Sequence, residues 1–286
     1  MAVTTPLFAD HTRSFAANRY VYPVISRRSR GLSVGVNLNP DKVCNFDCVY
    51  CCVDRRTPGD RRPVDLVVLG QELDGLLAAV ADGSFWTVPP FDRTPEALRR
   101  FNDIAFSGDG EPTTCPEFPA AAALVAARRA AHGLESAKTV VITNATVLDR
   151  APVAAAIDRF RPEDEVWGKL DAGTEGYYQQ VDRSKTPLAK VLANLLATGR
   201  RRDLTIQSLF MTLHGAPPSE AELDAWAGRL SDLRRDGARI RLVQVYTTAR
   251  ATTETYVGPL SRNALDRIAD RVRRLGLEAE VYAADG

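Results

Sequence analysis

The chain has 286 residues, 45% of them hydrophobic and 26% charged, which is enough apolar material for a sizeable core and suits the length of a single α/β barrel. Its 37 Lys and Arg against 36 Asp and Glu leave a net charge of +1, a balance that does not mark a nucleic-acid binder. No apolar run is long enough for a membrane span, and Met1 to Asp10 lacks the basic start and apolar stretch of a signal peptide. The sequence therefore reads as cytoplasmic, with no membrane partner and with five cysteines reserved for metal or chemistry rather than disulfides.

Residues 1–31 carry few periodic signals and read as an N-terminal arm; residues 32–286 read as one domain. Ser33 to Leu38 alternates as a strand, with Val34, Val36 and Leu38 on one face, and a cysteine-rich stretch follows. Pro63 opens a helix with Leu66, Leu69, Leu73, Leu76, Leu77 and Val80 at helical spacing, stopped at Gly83. Residues 84–101, with Pro89, Pro90 and Pro95, read as an irregular insert with one short helix. Strands follow at Asp103–Phe106, Thr139–Thr143, Glu165–Leu170, Leu204–Met211 and Ile240–Tyr246. Helices are expected at Glu117–Ala131, Leu148–Phe160, 174–181, 187–198, Ser219–Asp236 and Ser261–Leu275, with a terminal strand at Glu278–Tyr282. Six strands, each followed by a helix, imply a parallel sheet with right-handed crossovers. That pattern suits an α/β fold of the partial (β/α)6 TIM-like barrel kind.

Charge is unevenly spread. Residues 1–62 hold ten basic residues (Arg13, Arg19, Arg27, Arg28, Arg30, Lys42, Arg55, Arg56, Arg61, Arg62) and five acidic ones, so this segment is +5 and the remainder −4. It is either a solvated arginine-rich edge or a site for an anionic partner.

Cys44-Asn45-Phe46-Asp47-Cys48-Val49-Tyr50-Cys51-Cys52 packs four of the five cysteines into nine residues. Thiolates this close repel one another unless a metal neutralises them, and zinc or an iron–sulfur cluster are the choices. A structural zinc site wants four ligands, often as two pairs; no second pair exists, and His11, His132 and His214 are scattered. Cys44, Cys48 and Cys51, spaced x3 then x2, suit three corners of a cubane, leaving the fourth iron open for a ligand. Cys52 and Cys115 are then ordinary buried thiols. The turn Gly108-Asp109-Gly110-Glu111-Pro112-Thr113 follows the second strand. It belongs with the cysteine loop at the strands' C-terminal ends, where ligands gather in parallel folds.

This pattern resembles the Cys-x3-Cys-x-aromatic-Cys signature of the radical S-adenosylmethionine (SAM) superfamily, with Tyr50 at the aromatic position. Tyr22 to Pro40, the Gly-x-Gly-Glu-Pro-Thr turn and Lys169-Leu170-Asp171-Ala172 are similar to the subgroup of wyosine-synthetase-like Fe–S oxidoreductases, over a stretch from about residue 20 to the end. The resemblance implies a [4Fe–4S] cluster on Cys44, Cys48 and Cys51. It implies that Gly108, Asp109, Gly110 and Glu111 hold the amino group of SAM, and that Asn144, Lys169 and Asp171 serve its carboxylate and ribose. It places Tyr50 near the adenine and residues around Val243 to Tyr246 along the adenine pocket. For Lys169 and Asp171 a local ion pair or helix cap is an equal alternative. Gln207, Ser208 and Gln244 are further polar residues for the barrel interior.

The activity so implied is reductive cleavage of SAM to a 5′-deoxyadenosyl radical that takes hydrogen from an unidentified substrate. The electron would come from an external one-electron reductant of flavodoxin or ferredoxin type. Two other readings stand beside it. One is a tRNA- or nucleoside-modifying radical SAM enzyme with Arg27, Arg28 and Arg30 on phosphates; the other is a metal-binding redox sensor without SAM chemistry. His214, in the loop Leu213–Ser219 expected to touch substrate, reads as a surface histidine.

Overall fold

The computed structural model describes residues 15–284; the leader reading of Met1 to Asp10, His11 and Arg13 lie outside them. The chain falls into two compact units. The first takes in the described part of Met1–Val43 with Pro58–Ile142 and Ala155–Glu165; the second comprises Cys44–Thr57, Thr143–Ala154 and the described part of Val166–Gly286.

In the first unit, β1 (Val21–Ser26) runs antiparallel to β2 (Gly31–Val36), which is followed by β3 (Phe101–Phe106) and β4 (Lys138–Thr143) in parallel. Every residue of β2 is buried, as expected of a strand covered on both faces. Strand β1 lies in the stretch expected to be an arm. Its start is fixed by Glu72 of α1 (Leu66–Ala81), whose carboxylate accepts the backbone N–H groups of Arg19, Tyr20 and Val21 at 2.7, 2.8 and 3.0 Å. Asp65 caps α1 by accepting from the N–H groups of Val67 and Val68, satisfying donors that a helix start leaves open. The insert holds three short 3-10 turns, Ser84–Thr87, Phe91–Arg93 and Glu96–Leu98, rather than one helix. Its prolines and Phe85–Phe91 packing, with ring centroids 4.7 Å apart, keep it irregular. Under α2 (Phe118–Ala131), the Arg129 guanidinium is buried 2.8 Å from Asp164.

After β4 come α3 (Ala151–Asp158) and β5 (Glu165–Lys169). The second unit continues with α4 (Glu175–Val181), α5 (Leu188–Arg201), β6 (Leu204–Leu209), β7 (Met211–Leu213), α6 (Glu220–Arg235), β8 (Ile240–Tyr246), β9 (Val257–Pro259), α7 (Arg262–Arg274) and β10 (Ala279–Tyr282). Strands β5, β6, β8 and β10 pair in parallel in that order. Trp226 of α6 is fully buried, and its indole N–H reaches Leu170 O at 3.0 Å and Ser208 Oγ at 3.1 Å. Strands β7 and β9 form a separate antiparallel pair that the sequence reading lacks, because three-residue strands carry no usable periodicity.

The fold class is α/β, of the partial TIM-like barrel kind, with six strand–helix units in chain order. Among the described residues no helix is long and apolar enough to cross a membrane.

Candidate functional site

The cysteine run opens the second unit as a loop without regular structure, so its shape depends on what it is bonded to. Asp47 N–H donates to Asp182 O at 3.1 Å and Val49 N–H to Val181 O at 2.9 Å, which docks the run on the C-terminal end of α4. Phe46 packs edge-on against Tyr178 of the same helix, centroids 5.7 Å apart. Thr253 N–H reaches Cys51 O at 2.8 Å. Past the end of β4, Asn144 donates to Asn45 Oδ1 at 2.7 Å and Asn45 donates to Thr146 Oγ1 at 2.7 Å.

Cys44, Cys48 and Cys51 are half-buried free thiols; Cys115 is buried, and Cys52 is exposed rather than the buried thiol expected. Cys52 follows the last anchored residue of the run and faces out. Phe46 N–H points to Cys44 Sγ at 3.5 Å and Val53 N–H to Cys51 Sγ at 3.4 Å, with an Arg55 guanidinium N–H 3.7 Å from Cys51 Sγ. Bonds of this kind to sulfur are among those that tune cluster thiolates. A mononuclear zinc site needs its donors around one point. Among the described residues no three His, Cys, Asp or Glu side chains are so grouped. A cubane asks for something else, because each thiolate takes a different iron.

Tyr50 is buried, and its hydroxyl donates to Asp171 and lies 3.0 Å from Asp182 Oδ1. Lys169 sits with its ammonium 4.6 Å from the Tyr50 ring centroid and 3.3 Å from Asp171 Oδ2. Asp171 Oδ1 also accepts Leu209 N–H at 2.7 Å. The ion pair weighed for Lys169 and Asp171 is therefore present, and the same pair grips the cysteine run through Tyr50. Burial, and then the adjoining Asp171 and Asp182 carboxylates, push the Tyr50 phenol well up. Burial, then repulsion from Asp171, pushes the Asp182 carboxyl up. Burial alone would lower Lys169, but Asp171, Tyr246 and the groups around them outweigh it and hold the ammonium well above its ordinary range. Cys48 Sγ lies 3.4 Å from Asp182 Oδ1, and burial followed by that carboxylate pushes its thiol up.

Asp182 is not among the residues that the sequence singles out. It stands more than 130 residues beyond the cysteines, at a helix end where an acidic residue carries no special signal. Of the polar residues expected inside the barrel, Gln207 and Gln244 are buried opposite each other with their amides bonded at 2.7 Å, and the half-buried Lys169 lies opposite Gln207. Ser208 lies on the other face and donates to Leu170 O at 2.5 Å.

The Gly108–Glu111 turn belongs to the first unit. Asn37, just past β2, donates to Asp109 Oδ2 at 2.7 Å and accepts Asp109 N–H at 3.1 Å. A Cβ at Gly108 would strike Asn37, and one at Gly110 would strike the carbonyl of Val43, the residue before Cys44. The glycines thus serve a close approach to the chain's own backbone and side chains. Glu111 is buried, and Oε1 accepts the N–H of Thr113 at 3.1 Å along with its hydroxyl.

No family model matches the chain. Two curated relatives, both UPF0026 proteins of Helicobacter pylori, are similar to part of it. That of strain 26695 is 26% identical over 176 residues, 61% of this chain and 49% of the relative; that of strain J99 is 25% identical over 177 residues, 61% and 50%. The chain spans about half the length of these relatives. Among solved structures, a radical SAM methyltransferase from Sphaerobacter thermophilus superposes with a TM-score of 0.62 at 18% identity, covering 92% of this chain and 68% of that one. SuiB of Streptococcus suis, bound to S-adenosylmethionine, gives 0.56 at 11%, covering 90% and 49%. TYW1 with a lysine–pyruvate adduct bound gives 0.53 at 15%, covering 86% and 74%. The chain therefore has the fold found in radical SAM enzymes.

Proposed function

We propose that the chain is a radical SAM enzyme, with Cys44, Cys48 and Cys51 as the three protein ligands of a [4Fe–4S] cluster. The observation that carries this reading is the cysteine run itself: three thiols at x3 and x2 spacing, on a loop whose amides point at two of the sulfurs. When bound, the cluster and SAM together supply one-electron cleavage of the sulfonium and a carbon radical able to take hydrogen from an unactivated carbon.

The residues of the chain have separate tasks. Asp182, Tyr50 and Asn144 hold the cysteine loop in shape, so that the thiols meet the metal without reorganisation. Gly108, Asp109, Gly110 and Glu111 are assigned to the SAM amino group. Thr113 fixes the Glu111 carboxylate so that it can oppose an ammonium. Lys169 offers a cation for the SAM carboxylate and Asp171 an acceptor for a hydroxyl, both within the cluster that grips Tyr50. The electron comes from an external flavodoxin- or ferredoxin-type reductant.

Anaerobic reconstitution with iron and sulfide, followed by dithionite and SAM, tests the reading. Wild type is expected to form 5′-deoxyadenosine and methionine, and Cys48→Ala none. Protein that takes up only zinc and leaves SAM intact belongs to the redox-sensor reading instead.

A further inference from the structure

The three thiols of the cysteine run stand in unlike electrostatic surroundings. Cys48 Sγ lies 3.4 Å from a carboxyl oxygen of Asp182, and Cys44 Sγ receives the Phe46 amide at 3.5 Å. Cys51 Sγ takes two donors, the Val53 amide at 3.4 Å and a guanidinium N–H of Arg55 at 3.7 Å. A full positive charge therefore stands against one sulfur. A second arginine at the run, Arg183, meets it through the Asp47 carboxylate at 3.5 Å. It also binds Glu254 at 2.6 Å and the Tyr256 hydroxyl at 2.7 Å, so it faces acids rather than sulfur.

The chain on both sides brings Arg55 to this place. Behind it, Cys51 is held by Thr253, whose N–H donates to Cys51 O at 2.8 Å. Ahead of it, the Asp54 carboxylate accepts the amides of Arg56 at 2.9 Å and Thr57 at 3.4 Å, and the Thr57 hydroxyl at 2.6 Å. This is an Asx turn, which fixes the backbone around Arg55. Val53 is buried and Arg55 half-buried, while Asp54 and Arg56 are exposed. The residues thus alternate inward and outward, and Arg55 folds back over Cys51 while Arg56 stands in solvent. An arginine keeps its charge at every working pH, and a partly buried charge is screened less than an exposed one.

We propose that Arg55 sets the reduction potential of the cluster assigned to Cys44, Cys48 and Cys51, raising it toward the reach of the external reductant. The inference rests on that assignment. In the step concerned one electron passes from the reductant to the cluster, no bond is made or broken, and the cluster gains one negative charge beside a fixed cation. The cation favours the more negative, reduced form, so its loss makes reduction harder.

The full chain, reconstituted anaerobically with iron and sulfide, is titrated with dithionite and redox mediators without SAM, and the reduced cluster is read by electron paramagnetic resonance. Arg55→Gln holds as much iron and sulfide as wild type. At a given potential its ratio of reduced to oxidised cluster is about tenfold lower, a negative shift of about 59 mV for one electron. Arg55→Lys returns most of the loss. Arg56→Gln, which removes the same charge from an exposed neighbour, titrates as wild type. Arg55→Gln that titrates as wild type overturns the proposal, as does Arg56→Gln that shifts as far, which would make the effect one of net charge. A purely structural Arg55, which also overturns it, would show as lost iron with an unchanged potential in the cluster that remains. SAM cleavage by wild type with no shift in Arg55→Gln removes only the role of Arg55. A shift in protein that leaves SAM intact removes only the radical SAM assignment, and wild type that assembles no cluster overturns both.

Discussion

Asp103 opens the buried part of β3, and replacing it with Asn should make the protein more stable at neutral pH. The side chain is almost fully buried, with Ser33 Oγ bonded to Oδ1 and Oδ2 buried without a partner. Burial pushes the carboxyl up to about 6 from an ordinary 3.8, against the pull of the Ser33 bond and of Lys138. An acid whose folded pKa is raised binds its proton more tightly in the native state. Stability is therefore full below about pH 4, falls as pH rises toward 6, and stays reduced above it. The gap between 3.8 and about 6 is worth about 3 kcal/mol, at roughly 1.4 kcal/mol per pKa unit. Asn keeps the acceptor for Ser33 and never ionises. Urea unfolding of wild type and Asp103→Asn, paired at each pH from 4 to 8, isolates this group from the others that titrate. The two should nearly coincide at pH 4, and the variant should lead by about 3 kcal/mol at pH 7.5. A difference that is flat with pH, or a wild type that gains on the variant as pH rises, would refute the burial argument.

Arg129→Met removes the buried ion-pair partner of Asp164 and leaves it the half-exposed Arg161. The bonds from Arg129, Thr139 and Arg161 outweigh burial and hold that carboxyl low, so a loss of about 3 kcal/mol is expected in urea unfolding at pH 7. In metal-free, reduced protein, iodoacetamide at pH 8 should label Cys52 first and Cys48 and Cys115 last. Cys52 is exposed, while burial pushes Cys115 to about 12 and Cys48 well up. Peptide mass spectrometry gives the order, and fast labelling of Cys48 contradicts it. Gly110→Ala drives a Cβ into Val43 O and should cost about 1–3 kcal/mol in thermal unfolding. Gly75→Ala, inside α1 with nothing within 4 Å of its new Cβ, should gain up to about 1 kcal/mol.

Much of the scaffold was legible because the chemistry and the periodicity agree. β8 spans Ile240–Tyr246 as its apolar alternation predicts, and α2, α4, α6 and α7 fall within a residue or two of their expected bounds. β1 was not legible: Val21 to Ser26 has a proline and no clean alternation, and a carboxylate in a distant helix holds its start. The cysteines and the glycine turn stood out because their residue types are costly unless used. The resemblance assigns Asn144, Lys169 and Asp171 to SAM, and the structure shows what else occupies them: Asn144 is bonded to Asn45, Lys169 to Asp171, and Asp171 to Tyr50 and Leu209. Asp182, Arg183 and Tyr256 gave no signal, since an acid, a base and an aromatic far from any motif look like ordinary surface until the backbone brings them to the cysteine run.

The placement of buried polar groups along the strands separates stability from chemistry. Ser33 and Asp103, Lys138 with Glu165 at 2.5 Å, and Arg129 with Asp164 all sit toward the N-terminal ends of β2 to β5. Asn37, Asp109, Glu111, Asn144, Asp171 and Tyr246 all sit at or beyond the C-terminal ends of their strands. In parallel α/β folds the first end is spared contact with ligands and the second is where they bind. A charge pair at the first end can therefore be optimised for folding alone, whereas a residue at the second end is held by its neighbours and offered to a ligand at once. This is why Asp103→Asn can strengthen the fold without touching the residues at the C-terminal ends of the strands, and why no comparable gain is expected from Asp171. Its carboxylate, side-chain exposure 0%, already binds Tyr50, Lys169 and the Leu209 amide, so removing its charge loosens the cysteine loop before any cofactor is considered.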